Sequence, residues 1–322
     1  MKPEDKKSTK AKTLSKYQKA TFFSLGSILL GSGYSFLIKF VMRKTGVYSL
    51  SFVTEGLNRK ASSGAPLLML TVAIYMFIPL ISALICWLTL EKGDFKSFWK
   101  VIGASKLNLK NSTKQYLIAI TFPLLSVLMT IAFSLISGLS VLNKERIGLL
   151  AITLIAGPLF GATVNALFAF GEESGWRGYL YYLLREESKL KRVLFTGTVW
   201  GLWHAPLILL GYNFPHFPKI GIPIMVIATI SLSFIADELR EKSESVWSSS
   251  VFHGTINAVG GSTLLVLMPS QKAAIVAGPQ AENMLRLFSS PVGLFGAASF
   301  LLLYLLIGEI PFTKTSKNSK IL

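Results

Sequence analysis

Residues 147–184 read IGLLAITLIAGPLFGATVNALFAFGEESGWRGYLYYLL, and the fold turns on how the polar stretch Gly171-Glu172-Glu173-Ser174-Gly175-Trp176-Arg177 sits inside that apolar run. Two adjacent carboxylates and an arginine are costly in lipid, so each needs a partner and a purpose. On a helix, Glu173 and Arg177 are i,i+4 neighbours and can pair. Glu172 projects about 100° away from Glu173 and is free to face something else. The plainer reading is a short loop carrying ordinary surface charges. The length of the run argues against it, since 38 residues exceed one crossing of a ~30 Å core. Gly157-Pro158 is expected to break or start a helix there, because proline lacks the donor N–H and clashes with the preceding turn. A helix starting at that point centres on Glu172, which places the carboxylates near mid-membrane.

The rest of the chain fits this reading. Of its 322 residues, 51% are hydrophobic and only 15% charged. Soluble domains carry roughly 25% charged residues, so the composition indicates a membrane protein. Apolar runs long enough to span fall at Thr21–Met42, Ala65–Leu90, Gln115–Leu142, Ile147–Leu184, Val193–Gly211, Ile220–Ala236, Val246–Met268 and Pro291–Pro311. The expectation is an all-α polytopic protein of about eight transmembrane helices. Its single membrane domain covers residues 21–311, between basic cytoplasmic tails at 1–20 and 312–322. The first span follows seven lysines and shows no small-residue cleavage site, so it reads as an uncleaved helix.

The net charge of +17 raises nucleic acid as a partner. The charge lies in tails and loops rather than on one basic face, which excludes that class. The positive-inside rule accounts for it. With eight spans, the segments on the side of the termini hold 23 Lys and Arg, those on the other side hold nine, and Lys39 lies within a span. Both termini are therefore expected in the cytoplasm. Cys86 stands alone, so no intrachain disulfide forms, and its apolar run marks it as a small buried hydrophobe.

Two of the three histidines also fall inside spans. His204, in Trp200-Gly201-Leu202-Trp203-His204, lies about 16 Å into its helix at 1.5 Å per residue. Gly197 and Gly201 form a small-xxx-small pair that lets another helix approach the same turn. His253 and Asn257 are i,i+4 on one face of a third helix, with Gly254, Gly260 and Gly261 nearby to permit close packing. Taken singly, each histidine reads as interhelical glue. Together, three helices bring an acid, two imidazoles and an amide to similar depth. His216, in an outer loop, and Asp237, Glu238 and Glu309, at span ends, read as solvated. Ser174 and Ser250 lie beside polar residues but in no nucleophile elbow.

This set suits activation of water, with Glu172 as general base, His204 sharing the water, and His253 with Asn257 facing the developing oxyanion. Glu173 and Arg177 would orient Glu172 and balance its charge. The same residues allow a rival, because Glu172, His204 and His253 make three ligands of a catalytic zinc site.

Glu-Glu-x-x-x-Arg at Glu172–Arg177, aromatic-x-x-x-His at Trp200–His204 and His-x-x-x-Asn at His253–Asn257, in that order on successive helices, resemble the CPBP family. These are the type II CAAX prenyl endopeptidases and bacteriocin-processing enzymes, also called the Abi family. The resemblance covers about Gly157–Gly261. The second motif usually begins with Phe, and Trp200 is expected to change packing more than chemistry. The resemblance implies an eight-helix intramembrane endopeptidase whose site opens toward the cytoplasm. It implies a glutamate-activated water and no cofactor rather than zinc, with Glu172, Glu173, Arg177, His204, His253 and Asn257 as the catalytic set. The implied partners are the bilayer and a membrane-associated peptide or protein tail. Two other readings stand beside it: a non-catalytic membrane adaptor or bacteriocin-immunity protein, and a transporter. The adaptor predicts motif decay, whereas all six positions are intact. The transporter predicts internal repeats, and none is visible.

Overall fold

The computed structural model describes residues 14–51 and 65–307. The chain is an all-α polytopic membrane protein. In order its helices are α1 (Lys16–Thr45), α2 (Ala65–Tyr75), α3 (Ile78–Leu90), α4 (Phe95–Val101), α5 (Thr113–Ile136), α6 (Ile147–Phe160), α7 (Ala166–Glu173), α8 (Tyr181–Leu184), α9 (Lys189–Trp203), α10 (Ala205–Leu209), α11 (Pro218–Ser243), α12 (Val246–Val259), α13 (Ser262–Val266), α14 (Gln271–Ala277), α15 (Ala281–Ser289) and α16 (Leu294–Leu305). Two short strands, β1 (Ser140–Leu142) and β2 (Leu267–Pro269), pair antiparallel with Ser140 opposite Pro269. Glu309, residues 1–13 and the C-terminal tail lie outside the described residues, whereas Lys16–Ala20, expected in the N-terminal tail, form the first turn of α1 behind the Ser15 cap.

Six helical stretches are long and apolar enough to cross a membrane: 16–45, 65–90, 113–136, 144–184, 218–243 and 271–305. The remaining two expected spans are interrupted. In the first, α9 ends at Trp203, where the His204 N–H folds back to the Gly201 carbonyl at 3.2 Å, and α10 begins with Pro206 in its first turn. In the second, α12 ends at Gly260-Gly261. Their 15 and 14 residues fall short of the roughly 20 that a lone spanning helix needs.

The expected break at Gly157-Pro158 is absent. Helix α6 runs through Pro158 and continues by way of a π-helical turn at Gly161–Asn165 into α7. A second π-helical stretch, Ser174–Leu180, leads into α8. One donor is lost at the proline, and a widened helix a few residues later absorbs the strain. The two halves of this long element differ. Helix α6 buries none of its residues, and Ile155 is 80% exposed. Gly171–Leu180 is buried without exception. Exposed apolar surface of the α6 kind belongs against lipid.

Glycines set the helix contacts. A Cβ on Gly197 would sit 2.6 Å from Ile230 Cα, and one on Gly201 2.6 Å from Val226 Cα, so α9 lies directly on α11. Gly161 has the same relation to Thr255 Cα at 2.6 Å, which seats the first π-turn on α12. Gly260 packs on Pro291, whereas Gly261 faces open space and makes no such approach.

The bundle has two distinct ends. At one, Lys16 at the start of α1 meets Glu187 before α9, and Lys19 meets Glu91 after α3, both at 2.7 Å. The same end holds Asn108, whose Nδ2 donates to the Ser243 carbonyl at 3.0 Å, and Trp247, whose Nε1 donates to the Ala104 carbonyl at 3.0 Å. At the other end, Leu50 N–H bonds the Leu210 carbonyl at 2.9 Å, and Asn143 N–H bonds that of Val266 at 2.8 Å beside the β1–β2 ribbon.

The charges at the end of α11 are not solvated, contrary to the expectation from sequence. Asp237 is 5% and Glu238 2% exposed. Arg192 grips Asp237 in bidentate fashion, Nε to Oδ1 at 2.8 Å and Nη2 to Oδ2 at 2.6 Å, while Lys189 and Lys242 both meet Glu238. Tyr181 lies between the guanidinium groups of Arg192 and Arg240, each 4.8 Å from its ring. Lys242 is an i,i+4 neighbour of Glu238 on α11, but Lys189 and Arg192 come from α9, so position at a span's end said nothing about their reach.

Candidate functional site

Glu172, one residue before the end of α7, lies roughly twelve residues, or about 18 Å at 1.5 Å per residue, from the Leu184 end of its element. Its Oε2 accepts a hydrogen bond from Trp200 Nε1 at 2.7 Å. Trp200 sits one turn before His204, and His204 Nδ1 lies 2.9 Å from the Trp200 carbonyl oxygen. A carbonyl only accepts, so Nδ1 carries the proton and Nε2 is left as an acceptor. One residue thus steers two others: its indole holds Glu172, and its carbonyl sets the tautomer of His204.

Glu173 faces a different partner. Its Oε1 lies 2.9 Å from His253 Nδ1, and its carboxylate pairs with Arg177 at 3.2–3.3 Å. The i,i+4 pair expected from spacing is present, although the chain between the two residues is π-helical. Arg177 Nη2 donates to Ser233 Oγ at 2.7 Å, which itself donates to the Thr229 carbonyl. The guanidinium also stacks 4.5 Å from the centre of the Trp200 ring. Arg240 Nε donates to the Arg177 carbonyl at 2.9 Å, tying the site to the charged end of α11.

The sequence expectation that Glu173 and Arg177 orient Glu172 is therefore redrawn. Glu173 holds His253, and Arg177 reaches Glu172 only through the Trp200 ring. The expectation for Trp200 is also redrawn. A phenylalanine at this position has no N–H to give Glu172, so the tryptophan adds a hydrogen bond to the carboxylate besides its packing. The available signal was the residue type itself, because tryptophan alone joins a large apolar ring to a donor.

A cavity of about 1430 Å³ opens onto this cluster. Glu172, Trp200, His204, His253 and Asn257 line it, whereas Glu173 and Arg177 stand behind the wall. His253 is 7% exposed, and Asn257, one turn further along α12, is open to the cavity. The wall also includes Tyr75, whose hydroxyl donates to the Trp203 carbonyl at 2.8 Å. The lining continues through apolar residues of α2 and α6, among them Met69, Leu70, Leu149 and Ile152, each also exposed on the bundle surface. His216 is exposed, as expected, and stands at the cavity mouth.

Ser174 is buried, and Ser250 Oγ is turned back onto the Val246 carbonyl at 3.0 Å, so neither lines the cavity. Among the described residues, no three His, Cys, Asp or Glu side chains are grouped to hold a metal ion.

Helices of this length around a buried acid–imidazole cluster define a polytopic membrane protein with an intramembrane polar site. The family model described as "Type II CAAX prenyl endopeptidase Rce1-like" matches residues 155–259, a segment that holds all six residues above. The chain is also 27% identical over 186 residues to "CAAX prenyl protease 2" of Methanococcus maripaludis, which covers 56% of this chain and 63% of that protein. Over this motif-bearing region the chain is similar to these type II CAAX endopeptidases. It spans somewhat less than two thirds of the length of that curated relative.

Proposed function

We propose that the chain is an intramembrane endopeptidase that hydrolyses a peptide bond in a membrane-associated peptide or protein tail. The observation that carries this reading is Glu172: one carboxylate oxygen is held by an indole N–H while the side chain lines a large cavity beside His204. A carboxylate fixed in this way can take a proton without first having to be ordered.

In the proposed reaction, a water lies between Glu172 and the Nε2 of His204. Glu172 accepts its proton as the oxygen attacks the scissile carbonyl. The resulting oxyanion is met by the Asn257 amide and an N–H of His253, in a dry wall where such bonds count most. Glu172 then passes the proton to the departing amine as the C–N bond breaks. Charge balance supports the part given to His253. Two carboxylates and one guanidinium leave the cluster at −1, and an imidazolium at His253, with Nδ1–H on Glu173 and Nε2–H toward the cavity, brings it to zero. The apolar lining from α2 and α6 suits a substrate whose neighbouring segment is itself in the membrane.

The test is cleavage of a membrane-peptide library by the purified, detergent-solubilised protein, beside Glu172→Gln and with a strong zinc chelator. Cleavage that survives chelation and vanishes in the variant is expected. Cleavage lost on chelation and restored by zinc would move Glu172, His204 and His253 to ligand roles. Glu172→Gln with full turnover removes the general base from the scheme, and no cleavage by the native protein favours an adaptor of the same fold.

A further inference from the structure

The cavity does not run to the end of the bundle where α1 begins. Beyond the site residues and the apolar residues of α2 and α6, its lining includes the Asn143–Arg146 turn, the Tyr212–His216 loop, the Leu264–Pro269 segment around β2 and the Glu282–Arg286 stretch of α15. These last segments belong to the end that carries the β1–β2 ribbon. None of its lining residues comes from 90–115, 177–192 or 237–247, the segments gathered at the opposite end. Beneath the site that opposite end is filled. Phe23 packs edge-on against Trp176 and Tyr179 at 5.6 and 5.4 Å, and Trp176 packs against Trp203 at 5.9 Å. The Arg192–Asp237 and Lys189–Glu238 pairs close the layer below.

The same two ends differ in charge. Among the described residues, and with Arg177 of the site set apart, segments at the filled end hold 14 Lys and Arg, and those at the cavity end hold seven. Short loops rich in Lys and Arg stay in the cytoplasm. We infer that the catalytic cavity opens on the extracytoplasmic face of the membrane, so that the chain takes a peptide segment presented from that face. This reverses the cytoplasmic opening that the family resemblance implies. As a statement about substrate it rests on the peptidase reading, whereas as a statement about access it stands without it. The substrate class is then a peptide or tail whose cleavage point reaches the outer half of the bilayer, either by export or as the outer end of a membrane segment.

The test separates access from catalysis. Full-length protein with Cys86→Ser is expressed in intact cells with a single new cysteine. His216→Cys and Glu282→Cys mark the cavity mouth, and Lys110→Cys marks the filled end. The cells are treated with a bulky membrane-impermeant maleimide before and after permeabilisation. Both mouth variants are expected to label at least tenfold more than Lys110→Cys in intact cells, with Lys110→Cys labelling only once the membrane is opened. The reverse pattern, or equal labelling of all three in intact cells, overturns the inference. Two mouth positions on different elements guard against one variant failing to insert. A mouth that labels from outside in a protein that cleaves nothing would leave the access result intact and count against the peptidase reading alone.

Discussion

Two clusters of buried charge lie within this bundle, and they differ in what remains unfilled. At the end of α11, Asp237 has both oxygens on Arg192, and Glu238 meets two lysines. At the site, Glu172 has one oxygen on Trp200 while its side chain lines a cavity. Both carboxylates are almost inaccessible, Glu172 at 3% and Asp237 at 5%. Burial alone therefore does not separate a working carboxylate from a structural one. A paired charge that meets only protein holds the fold, whereas a half-satisfied one beside a cavity has capacity left for a reactant.

The strongest way to break this comparison is to neutralise each carboxylate in turn. Glu172→Gln is expected to reduce cleavage about 10³-fold, within the range for a lost general base, with the melting temperature in detergent nearly unchanged. Asp237→Ala should do the opposite. It removes the bidentate partner of buried Arg192, which keeps only the Glu241 carboxylate at 3.0 Å, so the loss should fall below the roughly 3–5 kcal/mol of a wholly unpaired buried charge, while kcat per folded molecule stays near native. If Asp237→Ala abolished turnover in folded protein, the two clusters would be one functional unit.

Trp200→Phe sharpens the comparison at the site. It keeps the ring under Arg177 and removes the N–H that Glu172 accepts. Hydrogen bonds to charged groups contribute about 1.5–3 kcal/mol, so kcat should fall roughly ten- to hundredfold with KM little changed. Native kcat in this variant would make the tryptophan a packing residue after all. Gly201→Ala probes the scaffold that carries His204. Its Cβ would press on Val226, and overpacking of about 1–3 kcal/mol should lower the melting temperature. A smaller loss of cleavage should accompany this as α9 shifts from α11.

The smallest effect is expected at the tether outside the membrane. Lys16 and the Tyr17 hydroxyl hold the Glu187 carboxyl below its usual range. A lowered carboxylate contributes stability above its unfolded value and loses it as pH falls. The melting difference between native protein and Glu187→Gln should therefore be small at neutral pH and vanish in acid. A difference that grew on acidification would reverse the assignment.

Much of the site was legible along the chain because its signals are local. The Glu173–Arg177 pair follows from helical spacing, and the approach of α9 to α11 follows from Gly197 and Gly201. Other features were out of reach. The rule that proline breaks a helix failed at Pro158, where the chain widened into a π-turn instead. Asp237 and Glu238 looked like solvated span ends, because nothing local shows that basic residues from α9 fold over them.

By itself the sequence determined that the protein is helical and lies in the membrane, since apolar length and the cost of an unpaired backbone in lipid leave few alternatives. It also marked six polar residues within apolar runs, and it distributed basic residues unequally between the two ends. Tertiary structure decided who meets whom. Trp200 reaches Glu172 across 28 residues, and His253 reaches Glu173 across 80, partnerships that no periodicity encodes. It also decided which carboxylate keeps a free face and toward which end the cavity opens. Those outcomes depend on the space left between packed helices, and that space is a property of the assembled bundle rather than of any one stretch of chain.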